Sequence, residues 1–230
     1  FKAIVKDDLE NLAVPLPLLP EQKAIAHILS TVDEAIQNTN EIIEKIERLK
    51  KGLMQELLTK GIGHKEFKDT EIGRIPKEWE VVKLESIVDI RGSKKLSIPE
   101  NVAFIPMDLV PDSNIYCKFE VRPKNRVRSF VYCEAGDLLL AKITPCFENG
   151  KQGIVPDNIP GRFALATTEV FPIIAKGIHR LFLFYLLKYP KYRKILEYSM
   201  RGTTGRQRVP RGALMRLKVP LPSRDEQEKI

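Results

Sequence analysis

The sequence predicts an α+β fold, one globular domain carrying a long coiled-coil-type helical arm. Three observations carry that prediction. An unbroken heptad stripe runs through residues 21–60, short strand-like segments followed by helices fill 77–216, and one phrase is written twice. "LAVPLPLLPEQKAI" at 12–25 and "LKVPLPSRDEQEKI" at 217–230 share eight residues in fourteen at a constant lag of 205, where composition alone would give about one. A self-match at a fixed lag marks a duplicated unit, and 205 residues is the size of a domain with its connector. The chain therefore reads as one period, and a little more, of a two-fold duplicated protein. It opens on Phe1 rather than Met, which fits a fragment.

The helix at 21–60 follows from its periodicity. Pro is absent from this stretch and Gly52 stands alone until the end. Ile25, Leu29, Val32, Ile36, Ile43, Ile46, Leu53 and Leu57 form one seam, which Ile28, Ala35, Ile42 and Leu49 widen. Pro20 suits a first turn, and "KGIG" at 60–63 supplies a glycine stop. Forty residues make a rod of about 60 Å. One domain cannot cover such a stripe, so the seam predicts an antiparallel or symmetry-related partner helix. The second phrase ends where another such helix should begin.

A polar linker is expected at 61–76, then an entering strand at Trp79, Val81 and Leu84 and a Gly-broken basic loop, "RGSKK", at 91–95. Strands are expected at 102–107, 114–121, 126–132, 137–143, 152–155 and 168–174, and helices at 177–188 and 190–200, the second opening on Pro190. Strand order does not follow from the sequence.

Charge separates the segments. Residues 1–76 are net −2 and 217–230 are neutral, whereas 77–216 hold 24 Lys and Arg against 14 Asp and Glu, net +10. A basic domain beside a slightly acidic helix points to a polyanion partner for the first and a protein partner for the second. In "VRPKNRVRSF", Arg122, Lys124, Arg126 and Arg128 fall at every second position, so an extended strand would present all four on one face to a phosphate backbone. Arg206 and Arg208, with Arg201 and Arg211, surround Gly202 and Gly205, where guanidinium forks can meet phosphates or a guanine edge. Arg91, Lys94 and Lys95 form a third basic loop. Three cysteines without C-x-x-C spacing argue for a reducing compartment and against a zinc or disulfide framework. Apolar runs are too short to span a membrane, and the first residues do not read as a signal peptide.

Catalytic motifs fall short. Cys146 in "ITPCFENG" follows a Pro as a methyltransferase nucleophile does, without a Gly-rich cofactor loop. Asp112, Glu120 and Arg122 echo a nuclease cluster with Arg where Lys is needed. A DNA nuclease or methyltransferase in its own right, and a purely structural coiled-coil adaptor, are the alternative readings.

The "IPKEWEVVKL" opening (75–84), "GDLLLAKITPCFENGK" (136–151), "TTEVFPI" (167–173), "GTTGRQRVPRGAL" (202–214) and the twice-written "VPLP…EQ" resemble the specificity subunits of Type I restriction-modification systems. The likeness runs through nearly all of the chain. On that plan 1–20 are similar to the tail of a preceding recognition domain and its Pro-rich connector, 21–60 to a conserved spacer helix, 77–216 to a complete target-recognition domain, and 217–230 to the start of a second conserved region. The resemblance implies a non-catalytic cytoplasmic reader of one half of a bipartite double-stranded DNA target, its helix setting the half-site spacing. It implies modification (methyltransferase) subunits and a restriction (translocase and nuclease) subunit as partners, with a second copy or missing half through the helix. S-adenosylmethionine, ATP and Mg are expected on those partners only, with no metal or cofactor on this chain.

Overall fold

The computed structural model describes residues 4–94, 97–203 and 205–230, and the chain divides into two compact units, Phe1–Gly52 and Leu53–Ile230. The first holds α1 (Lys6–Glu10), an extended stretch through Leu18, and α2 (Leu19–Lys60) as far as Gly52. The stripe gives α2 its helical form, and Ile25, Leu29, Val32, Ile36, Ile43 and Ile46 lie exposed along it.

The second unit is built on strands β1 (Phe67–Thr70), β2 (Gly73–Pro76), β3 (Glu80–Lys83), β4 (Val88–Ile90), β5 (Asn101–Ile105), β6 (Glu120–Pro123), β7 (Val131–Glu134), β8 (Leu138–Ala141), β9 (Gln152–Ile154), β10 (Phe163–Ala166) and β11 (Val170–Ala175). Helices α3 (Arg180–Lys188), α4 (Pro190–Tyr198) and α5 (Arg211–Met215), strand β12 (Lys218–Leu221) and helix α6 (Arg224–Lys229) complete it. Two four-stranded sheets carry the domain, one ordered β6-β5-β10-β7 and the other β4-β11-β8-β9. Among the named strands of the described residues only β5 and β10 run parallel; every other strand pair is antiparallel.

Alternation along the strands assigns the layers. Ala103, Ile105, Cys133, Ala164 and Ala166 of the first sheet meet Leu139 of the second in one buried cluster. The other face of the second sheet, with Leu138, Leu140, Phe171 and Ile173, packs on Phe182, Leu183 and Leu186 of α3 and Leu196 of α4. Leu58, in the last turn of α2, joins this cluster, with Met54 packed against it; Leu57 of the stripe is half-buried and Leu53 exposed. The outer face of the first sheet, with Val102, Phe104, Tyr132 and Leu165, is covered by loop residues Ile98 and Val127.

Four expectations need correction. The stretch 114–121 is mostly loop, with Tyr116 in an isolated bridge to Ile154 and β6 starting only at Glu120. The polar stretch 61–76 contains a β-hairpin, β1 to β2, turned through Gly73. The stretch 126–132 is mostly loop, because β7 starts only at Val131. The basic strand is interrupted as well: β6 ends at Pro123, and Lys124–Arg126 form a 3-10 turn, so the four cations do not line one strand face. Proline has no ladder N–H to give and stops the strand at the sheet's edge.

The repeated phrase is also a structural repeat. Helices α2 and α6 begin at Leu19 and Arg224, equivalent columns of the two copies. In each copy the glutamine Nε2 donates back to the second proline carbonyl, Gln22 to Pro17 at 2.7 Å and Gln227 to Pro222 at 2.8 Å. In the second copy Val219 is fully buried, and β12 pairs antiparallel with β3. Glu226 then closes a clasp. Its Oε2 accepts from the Trp79 indole Nε1 at 2.9 Å, and its Oε1 from the Ile62 amide at 3.0 Å, with His64 Nε2 2.8 Å away. Gly61, which ends α2 with φ +66°, has to be glycine, since a Cβ there would sit 2.3 Å from Glu226 Oε1 and 2.6 Å from the indole.

Trp79 is 1% exposed, so Glu226→Ala, by leaving its N–H buried without an acceptor, is expected to cost about 2–4 kcal/mol of unfolding free energy. Trp79 is the single tryptophan, and its emission reports the transition directly. A Glu226→Ala chain with wild-type denaturant midpoint would show that the clasp contributes nothing.

Candidate nucleic-acid interface

Strand register fixes where the basic loops lie. Phe104 pairs with Glu120, Ala166 with Val131 and Ile105, and Val170 with Ala141, so the segments leaving Ile105, Ala141 and Ala166 and the one entering β7 share one end of the two sheets. Pro123 lies at the opposite end, opposite Asn101, with the Lys124 amide bonded to the Glu100 carbonyl at 2.8 Å. Residues 124–130 therefore cross the outer face of the first sheet from one end to the other. Val127 plugs into that face while Lys124, Arg126 and Arg128 stay exposed.

The same outer face collects other predicted cations. The Arg122 guanidinium stacks 4.5 Å from the Phe104 ring and pairs with Glu120. Lys94 Nζ lies 5.2 Å from the Tyr132 ring and 3.5 Å from Glu134 Oε1, more than half exposed. Arg91 is different. Its Nε and Nη2 donate to both oxygens of buried Asp137, at 2.6 and 2.8 Å, and Nη1 lies 3.2 Å from Glu134. The bond to Asp137 raises the Arg91 pKa above its ordinary value, while burial raises that of Asp137 against the pull of the guanidinium. Asp137 also accepts from the Glu134 amide at 2.8 Å, so the fork of Arg91 is spent on tying the β7–β8 turn. Tyr132 donates to Glu134, whose carboxyl is held below its usual value first by that bond and then by Arg91 and Lys94. Lys95, the remaining cation of this loop, lies outside the described residues.

The loop through 201–208 docks at the shared end of the sheets. Arg208 bridges to Ile143 and Arg201, and the Thr144 amide bonds to the Gln207 carbonyl at 3.0 Å. Gly202, at φ +133°, has the Arg206 carbonyl where a Cβ would stand, which is why the turn needs glycine. Arg206 is exposed, its guanidinium without a hydrogen-bond or ion-pair partner among the described residues. Arg208 donates through Nε and Nη2 to both oxygens of Glu169, each at 2.8 Å, and its guanidinium holds the Glu169 carboxyl below the usual range. Lys142, which sequence reasoning missed, completes this corner. It lies 5.2 Å over Phe171, and burial lowers its pKa against the opposing pull of Glu169. The signal for it was a lysine closing the apolar run "LLLA" of β8.

Not all of the positive charge faces outward. Arg193 is buried, donating to the Phe147 carbonyl and to Gln152 Oε1 at 2.7 Å, and desolvation lowers its pKa to about 10. Lys151 donates to the Met107 and Val110 carbonyls at 3.0 and 2.9 Å. Arg193 thus holds the turn 143–150 that carries Cys146, and Lys151, just after it, is tied to the 107–110 segment. Burial pushes the Cys117 thiol up to about 12 and raises Cys133 as well, which disfavours the thiolate form of either. Among the described residues no cluster of His, Cys, Asp and Glu is arranged to hold a metal ion, and no helix is long and apolar enough to cross a membrane.

Comparison with known proteins follows this geometry. The family profile described as the Type I restriction modification DNA specificity domain matches residues 1–48 and 76–230. The MjaVIII specificity subunit of a Type I restriction enzyme from Methanocaldococcus jannaschii is 35% identical over 234 residues, covering 98% of this chain and 55% of its own length. The EcoAI specificity subunit from Escherichia coli is 32% identical over 161 residues, covering 68% of this chain and 27% of its own. The chain thus spans about half, or less, of the curated relatives it matches. Two solved structures share the fold at 17% identity. One is the HsdS subunit from Thermoanaerobacter tengcongensis, with TM-score 0.53 over 100% of this chain and 53% of that one. The other comes from work on complex assembly and conformational transition of the type I R-M system, with TM-score 0.58 over 99% and 54%. With its profile match covering most of the helical arm and the whole two-sheet domain, the chain belongs to the family of Type I restriction modification DNA specificity domains.

Proposed function

We propose that the two-sheet domain reads one half of a bipartite double-stranded DNA target and that α2 is its arm toward protein partners, without chemistry of its own. The observation that carries this reading is the distribution of unclaimed cations. Lys124, Arg126 and Arg128 on the crossing loop, and Arg206 on the docked loop, are exposed with no carboxylate partner among the described residues, whereas Arg91 and Arg193 are consumed inside the fold. Phosphates reward that arrangement, and the Gly-broken loops can bring a guanidinium to a base edge. Lys94 and Arg122, each over an aromatic ring, support the same face. Lys95 belongs to the proposed set by its place in the basic loop. The exposed stripe of α2 suits a helix from a second copy or from the missing half of a longer chain. Modification and restriction subunits, with S-adenosylmethionine, ATP and Mg on them, then supply the chemistry in the cytoplasm.

Selection from a random DNA pool tests the reading. Enrichment of a short half-site by the purified chain is expected, and binding without any enriched sequence would refute sequence-specific recognition. Arg126→Ala and Arg206→Ala should each weaken binding. Where the lost contact is to phosphate, the dependence of log K on log salt flattens by about 0.9; where it is bidentate to guanine, the loss is about 1–3 kcal/mol, confined to one base position. Glu169→Gln should act in the opposite direction. It releases the Arg208 fork, so affinity and salt slope both rise; a weakened complex would show instead that the pair must stay closed for the loop to be read.

The arm has its own test. Ile43→Asp places a charge in the middle of the stripe and is expected to abolish self-association of the chain in sedimentation experiments, leaving the emission of Trp79 unchanged. Self-association that survives this substitution would remove the stripe from the interface.

A further inference from the structure

Unclaimed cations also stand on the helical side of the shared end of the sheets. Helix α4 runs toward that end and delivers the chain into Arg201, which bridges to Arg208 on the docked loop, as Ile143 does after β8. One face of α4 is buried through Tyr192 and Leu196. The opposite face carries Lys194 and Tyr198, one turn apart. Lys194 is exposed with no hydrogen-bond or ion-pair partner among the described residues, and Tyr198 is 89% exposed. The Ser199 and Met200 amides, bonded to the Leu196 and Glu197 carbonyls at 3.1 and 3.0 Å, carry the turn past Tyr198, so its ring stands on fixed backbone. Arg201, the next residue, is exposed too. Its amide and carbonyl hold Arg208, while its guanidinium has no partner among the described residues. Lys191, at the start of the same helix, differs, because its ammonium is spent on the Ile72 carbonyl.

We propose that Lys194, Tyr198 and Arg201 form a second phosphate-binding edge, so that the domain clamps both strands of one duplex. The proposal rests on the DNA reading above and adds to it which strand each side of the domain holds. Layer spacing carries it. First sheet, second sheet and α4 follow in that order, with the docked loop at the end of the second sheet. Facing sheets lie about 10 Å apart, and a helical layer adds about 10 Å more. The Arg128 side and the Lys194 side are thus separated by the span of a major groove, about 12 Å wide, together with the backbones that border it. A duplex laid across this end meets the crossing loop with one strand and α4 with the other, with Arg206 in the groove between. Lys194 and Arg201 suit phosphate oxygens as a point charge and as a fork. The Tyr198 hydroxyl can donate to a phosphate while its ring lies along the sugars. Glu197, exposed beside them, opposes the attraction. Nucleic acid is favoured over a protein partner because lysine is depleted in protein interfaces, and here unpaired cations flank the exposed ring and Ile195.

Neutral methylphosphonates, placed one at a time along each strand of the half-site enriched from the random pool, locate the contacts. The wild-type chain is expected to show interference on both strands. Lys194→Gln and Arg201→Gln should each erase it on one strand only, and Arg128→Gln on the other. Both α4-side substitutions should also flatten the dependence of log K on log salt by about 0.9 without changing the preferred sequence. Tyr198→Phe removes a neutral donor, so affinity falls at an unchanged slope, and Glu197→Gln raises affinity. Unshifted Trp79 emission checks that each variant is folded. Interference by both sets on the same strand, or α4-side variants with wild-type affinity and slope, would overturn the clamp and leave the recognition reading standing. A wild-type chain that enriches no sequence would overturn both. Variants that keep their DNA affinity but lose capture by a modification subunit would assign this edge to a protein partner and overturn the proposal.

Discussion

The Glu226 clasp is the constraint on which the arrangement of this unit depends. One carboxylate, its side chain 13% exposed, gathers the residue after the helix stop, the indole that opens the domain and the first turn of α6. These segments are some 160 residues apart in sequence, so the clasp closes the domain on itself where the chain enters and leaves. A buried carboxylate is costly unless hydrogen-bonded, and here both oxygens are used. His64, beside the same oxygen and edge-on to the Trp79 ring, packs the remaining side.

The sequence makes some of this legible. The helical arm and the duplication are long-range periodic signals, and periodicity survives whatever the tertiary context does. Core strands such as β8, "LLLA", declare themselves by continuous burial, as expected for a layer covered on both sides. The errors arose where a short-range pattern met a residue with veto power. Alternating cations at 122–128 satisfy the strand period, but Pro123 ends the ladder and turns the chain across the sheet. Strand β10 went unseen because it follows Pro160 and Gly161, which read as loop, and its four residues carry two small alanines rather than β-branched side chains. The hairpin at 67–76 was hidden by its polarity, since it is a small two-stranded sheet with little to bury.

The candidate interface was less legible for an electrostatic reason. Sequence gives the number of cations in a segment but not which carboxylates will claim them. Of the predicted cations, Arg91 lies in a loop that looked exposed, yet its fork is held by Asp137 from the β7–β8 turn, 46 residues away. Arg208 is claimed by Glu169, 39 residues away, just before β11. Both are bidentate pairs, which only the fold can assemble. The two differ in consequence. Asp137 is buried, so removing its partner would strand a charge in the core. Arg208 is nearly half exposed, so a polyanion can compete for it against Glu169 at modest cost.

That contrast orders the basic residues by what each can give to a polyanion. A cation already neutralised inside the fold adds to the formal charge of the segment without adding to the field outside it, so the net +10 of residues 77–216 overstates the attraction. Lys124, Arg126, Arg128 and Arg206 retain their full field and sit on loops anchored at both ends: Val127 plugs the first into the sheet, and the Arg201–Arg208 and Ile143–Arg208 bridges fix the second. Anchored loops lose little conformational entropy when they meet a ligand, so their charge converts into affinity efficiently. Arg208 adds a different property. Its neutral pairing with Glu169 suppresses indiscriminate attraction, and the fork becomes available only where a ligand offers a bidentate acceptor in the same place. On the proposed DNA reading, outermost cations that are free and a corner cation held in reserve let the domain associate with any duplex while reserving its strongest directional contact for a particular one.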